Sequence, residues 1–359
     1  MTNNNKIIIA TGGTGGHIFP SLSLANFLKD EYNLKITTDK RGLNYIKNSK
    51  NFNIKIINSS TIFNKNIFKT FVGIIKVIFS IFFSMFLLMK FRPKTVIGMG
   101  GYSSFPVCLA AYFLRIPFII YENNLVIGRA NKFLLPLANK ILVSTNKTSG
   151  IKTKFNHKVF QIGYLIRSHI LNLKINKNQV TDKKQLSILI TGGSQSAKIF
   201  GEILPNIIIQ CSKNDIKFKI YQQCLDDQLN FIKNLYKKSN IQFELFSFTD
   251  DMSKYYLDAD LAITRSGASS LSELINLRIP SIAIPLPSSA DNHQLENANH
   301  FHKKGYCILL EERFVKDKLF EILENLNKDR QKILLMKDKM TDHSDKDVFS
   351  KIKKLIIQI

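Results

Sequence analysis

The chain has 359 residues, of which 45% are hydrophobic and 22% charged, proportions typical of a globular protein. They exclude a disordered chain, a collagen and a small disulfide-stapled domain, and at about 150 residues per domain the length predicts two or three domains. The 51 Lys and Arg against 27 Asp and Glu leave a net charge of +24. This charge predicts an anionic partner (nucleic acid, phospholipid or a phosphorylated substrate), unless AT-rich codon usage accounts for much of the excess.

Short β-branched runs alternate with helical stretches along the whole chain. The first predicted strands are Ile7–Ala10, Lys35–Thr38, Ile54–Ile57, Thr95–Gly98, Phe118–Tyr121 and Ile141–Ser144. A second series comprises Val159–Ile162, Ser187–Ile190, Lys217–Tyr221, Gln242–Phe246, Leu261–Thr264 and Ser281–Ile284. Apolar runs of this length between helices are typical of buried parallel strands, which predicts the α/β class.

Two stretches that lie 180 residues apart resemble each other. In each, a strand runs into Thr-Gly-Gly and then a helix, at Thr11–Gly13 and at Thr191–Gly193. The repeat predicts two doubly wound, Rossmann-like domains in tandem. We place an N-terminal domain at residues 1–163, a C-terminal domain at 164–340 and a helical tail at 341–359, with a polar linker region near residues 172–185.

The four cysteines are widely spaced and form no C-x-x-C pair, and no signal peptide is visible at the N-terminus. This pattern argues against a zinc ribbon or a disulfide framework, and it fits a reducing cytosol.

The segment at residues 67–91 is very apolar. Its uncharged stretch, Val77–Met89, has thirteen residues, fewer than the roughly 20 that a spanning helix needs. As a helix it carries an aromatic stripe on one side, formed by Phe79, Phe82, Phe83 and Phe86. The opposite side is a narrow polar seam, formed by Lys69, Gly73, Lys76, Ser80 and Ser84. A core helix and an interfacial membrane helix are both compatible with this pattern.

The loop Gly12–His17 follows the first predicted strand, where glycines allow a ligand to approach the backbone closely. The dinucleotide fingerprint fails because Ile18 stands at its last glycine, and Asp39 after the second strand is weak evidence for a nicotinamide cofactor. His17 opens a helix at the edge where such sheets bind ligands. It is either a general base or a structural loop histidine.

Three motifs in the second half suit a sugar nucleotide. The helix start at Thr191–Ala197 favours binding of a diphosphate. Glu273 lies six residues past Gly267. Its carboxylate either accepts hydrogen bonds from a ribose diol or complements the helix dipole. The loop Pro285–Gln294 is rich in groups that hydrogen-bond sugar hydroxyls. Asp258 and Asp260 have D-x-D spacing but precede a strand, so we interpret them as a helix-to-strand boundary and predict no metal site.

Together the motifs resemble the MurG-type peptidoglycan N-acetylglucosaminyltransferases over nearly the whole chain. The matching segments are Gly12–Pro20, Gly98–Tyr102, Glu122–Asn124, Gly192–Gln195, Arg265–Ala268, and Asp291 with Gln294, Asn297 and Ala298. The resemblance implies a GT-B fold, two Rossmann-like domains facing across a cleft. It also implies inverting, metal-independent transfer of GlcNAc from UDP-GlcNAc to the C4 hydroxyl of MurNAc in undecaprenyl-diphosphate-MurNAc-pentapeptide, with no cofactor.

The resemblance also implies roles for particular residues. The UDP-GlcNAc contacts fall on Thr14, Gly15, Gly16, Asn124, Arg167, Ser194, Thr249, Ala268, Ser269, Ser270, Leu271, Ser272, Glu273 and Gln294. His17 is the candidate base, Tyr102 lies on the acceptor side, Ser194 holds the diphosphate, and Glu273 binds the ribose.

The sequence departs from the family pattern at several positions. Tyr121 replaces the family's His, Gly163-Tyr164-Leu165 replaces Gly-Asn-Pro, and Leu125 and Ser196 each replace a glycine. These changes put the interdomain hinge and the loop conformation in question.

Charge is unevenly distributed along the chain. Residues 1–160 hold 22 basic and 4 acidic residues, a net of +18, whereas residues 161–359 have a net of +6. Codon usage should act on both halves alike, so we predict an anionic membrane surface as a peripheral partner of the 67–91 segment. The family resemblance implies that this surface is the cytoplasmic face of the bacterial inner membrane. Alternatives are a related GT-B enzyme with another lipid acceptor, such as a diacylglycerol, and a nucleic-acid-binding protein. The latter is disfavoured because no Lys/Arg cluster interleaved with aromatics is present.

Overall fold

The computed structural model describes residues 5–46, 52–57, 67–173, 184–247, 249 and 251–359, without the side chains of residues 67, 69 and 194–197. The chain forms two compact units, Met1–Arg167 with Asp345–Ile359, and Ser168–Ser344. We call them unit 1 and unit 2. The predicted boundaries after residues 163 and 340 thus shift to Arg167 and Ser344. The C-terminal segment belongs to unit 1, and residues 174–183 of the predicted linker lie outside the described residues.

Unit 1 is built on a parallel sheet with strand order β3-β2-β1-β4-β5-β6-β7. Its elements are β1 (Lys6–Ala10), α1 (Gly15–Leu28), β2 (Asn33–Thr38), α2 (Lys40–Ile46), β3 (Asn53–Ile56), α3 (Ile67–Phe91), β4 (Thr95–Gly98), α4 (Ser104–Phe113), β5 (Phe118–Glu122), α5 (Arg129–Leu134), β6 (Lys140–Val143), a 3-10 helix (Thr153–Lys158) and β7 (Val159–Gln161). Three consecutive isoleucines of β1, Ile7 to Ile9, are fully buried, which requires cover on both faces of the sheet. The run Val159–Ile162, which the sequence grouped with the second series, forms the edge strand of this first sheet.

Unit 2 contains a parallel sheet with strand order β10-β9-β8-β11-β12-β13. Its elements are α6 (Ser168–Leu171), β8 (Leu186–Thr191), α7 (Gly193–Lys213), β9 (Phe218–Gln223), α8 (Leu229–Lys238), β10 (Gln242–Phe246), α9 (Ser253–Asp258), β11 (Leu261–Arg265), α10 (Ala268–Asn276), β12 (Ser281–Ile284), a 3-10 turn (Ala290–Asn292), α11 (His293–Lys303), β13 (Cys307–Leu309), a second 3-10 turn (Glu312–Phe314), α12 (Val315–Lys328) and α13 (Gln331–Lys339). The chain then returns to unit 1 with α14 (Val348–Ile357). The three-residue β13 was not predicted.

Both sheets reverse their strand order at one place, between β1 and β4 and between β8 and β11. The register pairs Ala10 with Gly98 and Thr191 with Thr264, so the loops that follow these strands begin side by side. In open α/β sheets, ligands bind at the carboxyl ends of the strands at such switch points. The prediction of two doubly wound domains is confirmed.

Candidate active site

The first glycine loop ends in the start of α1. Gly13 has φ +88°, a backbone conformation that favours glycine, and Thr14 is the last non-helical residue before Gly15 and Gly16. His17 is the third residue of α1 and is half-buried. Its imidazole therefore stands at the carboxyl edge of the sheet, as the sequence predicted.

The second glycine loop packs directly on the first. A Cβ atom at Gly100 would lie 2.8 Å from Nδ1 and Cε1 of His17, and a Cβ atom at Gly101 would collide with the Gly12 carbonyl. Ser103 Oγ donates a hydrogen bond of 2.7 Å to the Thr11 carbonyl. The structure thus joins two motifs that lie far apart in sequence. The missing side chain at Gly100 makes room for the His17 ring, and the one at Gly101 makes room for the Gly12 backbone. Tyr102, the predicted acceptor-side residue, belongs to this second loop.

Asp39 is an anchor for the first loop. One oxygen of its buried carboxylate accepts hydrogen bonds from the backbone N–H groups of Gly13 (3.1 Å) and Gly42 (2.7 Å), and Arg41 lies 3.3 Å from the other oxygen. The acid at the end of the second strand therefore fixes the glycine loop and the start of α2. This structural role explains why an acid stands at the position that, in the sequence, gave weak evidence for a nicotinamide cofactor.

A buried carboxylate organises the loop that carries Asn124. Glu122 Oε1 accepts from the backbone N–H of Asn124 (3.0 Å) and its side-chain amide (3.2 Å), while Oε2 accepts from Gly128 N–H (2.8 Å) and Asn131 Nδ2 (3.0 Å). Leu125, which replaces a family glycine, has no positive φ and is buried. The loop therefore tolerates this departure.

Arg167 is the last residue of unit 1, not part of the C-terminal unit where the predicted boundaries placed it. Its guanidinium carbon lies 5.4 Å from the centroid of the Phe19 ring on α1, within cation–π distance. Arg167, one of the predicted UDP-GlcNAc contacts, is thus held against the same helix that carries His17.

In unit 2 the two helix starts lie beside each other because β8 pairs with β11. Thr191 Oγ1 donates to Thr264 Oγ1 at 3.1 Å across this pair. Gly193 has φ +67° at the start of α7, and Ser194 follows in the first turn, with its side chain outside the described residues. The α10 helix carries the predicted contacts Ala268, Ser269, Ser270, Leu271, Ser272 and Glu273. First helical turns present backbone N–H groups and positive dipole ends, which favour an anion.

The remaining predicted donor contacts of unit 2 are Thr249 and Gln294. Gln294 lies on α11, and its Oε1 accepts from the Leu286 N–H at 3.0 Å, so its amide nitrogen stays available as a donor on the loop after β12. Asn297, one turn further, donates from Nδ2 to the Ser266 carbonyl at 3.1 Å and ties α11 to the start of α10. Thr249 forms a local turn with Asp251, through Oγ1 to the carbonyl at 2.9 Å; residues 248 and 250 lie outside the described residues.

Asp258 and Asp260 lie at the boundary between α9 and β11. Asp258 accepts from Tyr221 (2.8 Å), Lys219 (3.0 Å) and Ser187 Oγ (3.1 Å), and Asp260 accepts from Ser187 N–H (2.9 Å). Although burial opposes ionisation, these hydrogen bonds hold the pKa of Asp258 below its usual value. Both aspartates are structural, and among the described residues no group of three or more His, Cys, Asp or Glu could hold a metal ion.

The small residues of the α3 seam lie inside and the aromatic stripe lies outside, whereas Lys76 of the seam is exposed. Gly73, Ser80 and Ser84 face the protein, where each serine hydroxyl donates to the carbonyl four residues back at 2.7 Å, and Leu88 is fully buried in the unit 1 core. The outer face exposes large apolar side chains: Phe68, Phe71, Val72, Ile78, Phe79, Phe82, Phe83, Phe86 and Met89. Exposed apolar surface of this extent marks an interaction site.

The sequence-based length argument for α3 needs correction. The helical stretch Thr70–Phe91 is long and apolar enough to cross a membrane by length and composition, because Lys76 interrupts the apolar run without ending the helix. Length therefore does not separate a spanning from an interfacial helix. In unit 1 one face of α3 is buried against α4 and the sheet.

Three residues that hydrogen-bond predicted site residues or their loops had no role assigned from the sequence, namely Glu122, Asn131 and Tyr256. Glu122 and Asn131 hold the Asn124 loop, and the Tyr256 hydroxyl donates to Glu273 Oε2 at 2.8 Å. The presence of a carboxylate in the Glu122 motif was a usable signal, because a buried acid must be hydrogen-bonded. Nothing in the sequence pairs Tyr256 with Glu273, seventeen residues later.

Comparison with known proteins supports the same class. Residues 7–143 match the glycosyltransferase family 28 N-terminal domain and residues 187–355 the family 28 C-terminal domain. Each of the two Rossmann-like units has a glycine loop at its switch point. Together with these family matches, this architecture defines a glycosyltransferase of the GT-B fold. The predicted fold and enzyme class are therefore confirmed.

Individual relatives define the family more narrowly. A Pelagibacter ubique protein named UDP-N-acetylglucosamine–N-acetylmuramyl-(pentapeptide) pyrophosphoryl-undecaprenol N-acetylglucosamine transferase is 38% identical over 357 residues, covering 99% of each chain. A Rickettsia bellii protein of the same name is 35% identical over 330 residues, covering 89% of this chain and 91% of its own. The crystal structure of Acinetobacter baumannii MurG superposes with a TM-score of 0.78 at 26% identity, over 99% of this chain and all of that one. The chain belongs to this family of MurG-type transferases, as the motifs predicted.

Proposed function

We propose that the protein transfers GlcNAc from UDP-GlcNAc to undecaprenyl-diphosphate-MurNAc-pentapeptide, converting lipid I to lipid II in peptidoglycan synthesis. The observation that carries the proposal is the 38% identity over essentially the full length to a relative of that name. The glycine loops and helix starts where the family's contacts fall are all present. Neither the named activity of these relatives nor any described feature of the chain favours an acceptor such as a diacylglycerol.

Unit 2 supplies the donor site in this proposal. The N-termini of α7 and α10 stabilise the diphosphate of UDP through backbone N–H groups, aided by Ser194 and by Arg167 of unit 1. Glu273 accepts hydrogen bonds from the ribose hydroxyls, Thr249 lies where backbone groups contact the uracil edge, and Gln294 binds the sugar. This arrangement accommodates the negative charge that develops on UDP as it leaves.

Unit 1 supplies the acceptor side. His17 accepts the proton of the MurNAc C4 hydroxyl while that oxygen attacks the anomeric carbon of GlcNAc, and the bond from this carbon to the UDP oxygen breaks. Attack from the face opposite the leaving group inverts the anomeric centre and gives a β-1,4 linkage. The close approach of the His17 ring to Gly100 supports this role, because it places the imidazole beside the second glycine loop at the carboxyl edge of the sheet.

The acceptor is lipid-linked, and the outer face of α3 provides a means to reach it. We assign this face, with the basic surroundings that give residues 1–160 a net charge of +18, to peripheral docking on the cytoplasmic face of the inner membrane. Burial of the inner face of α3 in unit 1 supports docking rather than spanning, since a spanning α3 would draw the attached sheet into the bilayer.

The test is release of UDP from UDP-GlcNAc in the presence of lipid I, together with mass analysis of the lipid product. We expect His17→Gln to lower kcat by at least about 100-fold with little change in UDP affinity, since general-base catalysis contributes roughly 10²–10⁴-fold. No turnover of lipid I by the native protein, with turnover of another lipid acceptor offered in parallel, would overturn the substrate assignment. An unchanged kcat for His17→Gln would remove the base role alone.

A further inference from the structure

Glu273 is unusual among the predicted donor contacts because it is an acidic side chain inside the protein. It is 7% exposed and lies on α10, six residues past Gly267. A buried carboxylate is stable only when its oxygens are hydrogen-bonded. Glu273 accepts a hydrogen bond of 2.8 Å at Oε2 from the hydroxyl of Tyr256, a residue that is itself 5% exposed.

Two adjacent tyrosines of α9 each donate to a glutamate, but to different ones. Tyr255 donates to Glu244 Oε1 at 3.0 Å and stacks on Phe246, with ring centroids 4.3 Å apart. Tyr256 points the other way, to Glu273 of the helix that follows β11. Tyr256 is thus the one of this pair whose hydroxyl donates to a residue assigned to the donor site.

We propose that Tyr256 is a positioning residue that fixes the Glu273 carboxylate in the orientation needed to accept both hydroxyls of the donor ribose. This inference rests on the ribose role of Glu273 in the proposed function. The terminal torsion of a glutamate is broad and roughly two-fold, so a carboxylate without a fixed partner samples many orientations. A hydrogen bond from a buried phenol removes that freedom, and a diol can then be bound bidentately.

The consequence is discrimination at the 2′-hydroxyl. A carboxylate that accepts from both ribose hydroxyls loses one bond to a 2′-deoxyribose, and a buried acceptor left unpaired weakens binding. Tyr256 therefore contributes to the preference for UDP over 2′-deoxy-UDP although it does not itself contact the nucleotide.

The experiment measures dissociation constants of UDP and 2′-deoxy-UDP by calorimetry on the full chain. For Tyr256→Phe we expect UDP binding to weaken about 10-fold, in the range of a charge-assisted hydrogen bond, and 2′-deoxy-UDP binding to change much less. The KM for UDP-GlcNAc should rise while kcat is retained. Tyr255→Phe is the matched control and should leave both nucleotide affinities at native values.

The Glu273→Gln variant distinguishes the ribose role of Glu273 from the positioning role of Tyr256. If that variant keeps the native preference for UDP over 2′-deoxy-UDP, the ribose role in the proposed function is wrong. If it abolishes the preference but Tyr256→Phe keeps it, the ribose role stands and the positioning inference is overturned. The double variant should bind UDP no more weakly than Glu273→Gln alone, because the two residues act as one unit. A 10-fold further loss in the double variant would also contradict the inference.

Discussion

Tyr121 shows how departures from a family pattern compensate each other at the scale of single residues. Its buried hydroxyl donates to Asn123 Oδ1 at 2.8 Å and accepts from the Leu165 N–H at 3.2 Å. Leu165 stands where the family has proline, and proline has no N–H to donate. A histidine-to-tyrosine and a proline-to-leucine change therefore create one hydrogen bond together. Burial raises the pKa of the Tyr121 phenol well above its ordinary value, so the hydroxyl remains protonated.

Removing that hydroxyl should destabilise unit 1. Tyr121→Phe leaves a buried N–H and a buried amide oxygen without this partner, at a cost of about 1–3 kcal/mol in the free energy of unfolding. Urea denaturation measures the change. Tyr112→Phe, at a ring that is 47% exposed, serves as the control and should change the free energy by less than about 0.5 kcal/mol. Equal effects of the two variants would contradict this account.

At the scale of secondary structure elements, α3 differs from an ordinary amphipathic helix because its large apolar side chains are exposed and its small residues are buried. Small side chains such as Gly73 and Ser84 face the protein, and phenylalanines face outward. The small side chains let α3 pack closely on α4, and the serines satisfy their hydroxyls within the helix. The free energy that an ordinary helix gains by burying its large apolar side chains is thus available for binding a partner surface, which in the proposed function is the membrane.

Three substitutions test this element. Phe79→Ser, Phe82→Ser and Phe86→Ser combined should reduce binding to anionic vesicles by more than about 100-fold, because burial of each phenylalanine contributes roughly 1.5–3 kcal/mol. Stability should hardly change, since all three side chains are more than 60% exposed. Phe231→Ser, at a side chain of unit 2 that is 61% exposed, is the matched control. Binding of the triple variant at native affinity would rule out the docking face. If the native protein binds vesicles equally well with and without anionic lipid, the basic charge does not contribute to docking.

At the scale of the whole molecule, the chain leaves unit 1 at Arg167 and returns at Asp345. Asp345 is buried and its Oδ1 accepts from the Tyr164 N–H at 2.9 Å, beside Gly163. The α14 helix then buries Val348, Ile352 and Ile356, and Phe349 stacks on Phe27 of α1. The C-terminal segment is thus part of the N-terminal fold.

Truncation after Ser344 should therefore unfold unit 1. The deletion removes four buried apolar side chains, each worth about 1.5–3 kcal/mol, a total comparable to the whole stability of a typical domain. Limited proteolysis with mass mapping should show cleavage throughout residues 5–167 and a protected unit 2. Removal of Gln358 and Ile359 alone is the control and should leave the native pattern. Protection of unit 1 in the longer truncation would show that α14 is dispensable.

The sequence by itself determined the α/β class, the doubled glycine-loop architecture and the family. These depend on local signals, namely the apolar runs of buried strands and the turns that favour glycine. Each predicted strand overlaps an observed one. The roles assigned to single site residues remain predictions. Tertiary structure alone decided what Asp39 binds, that Gly100 makes room for His17, that the small residues of the α3 seam face inward and that α14 completes unit 1. It also paired Tyr256 with Glu273. The physical reason is that such contacts join residues distant along the chain, and they depend on strand order and helix packing, which no local pattern encodes.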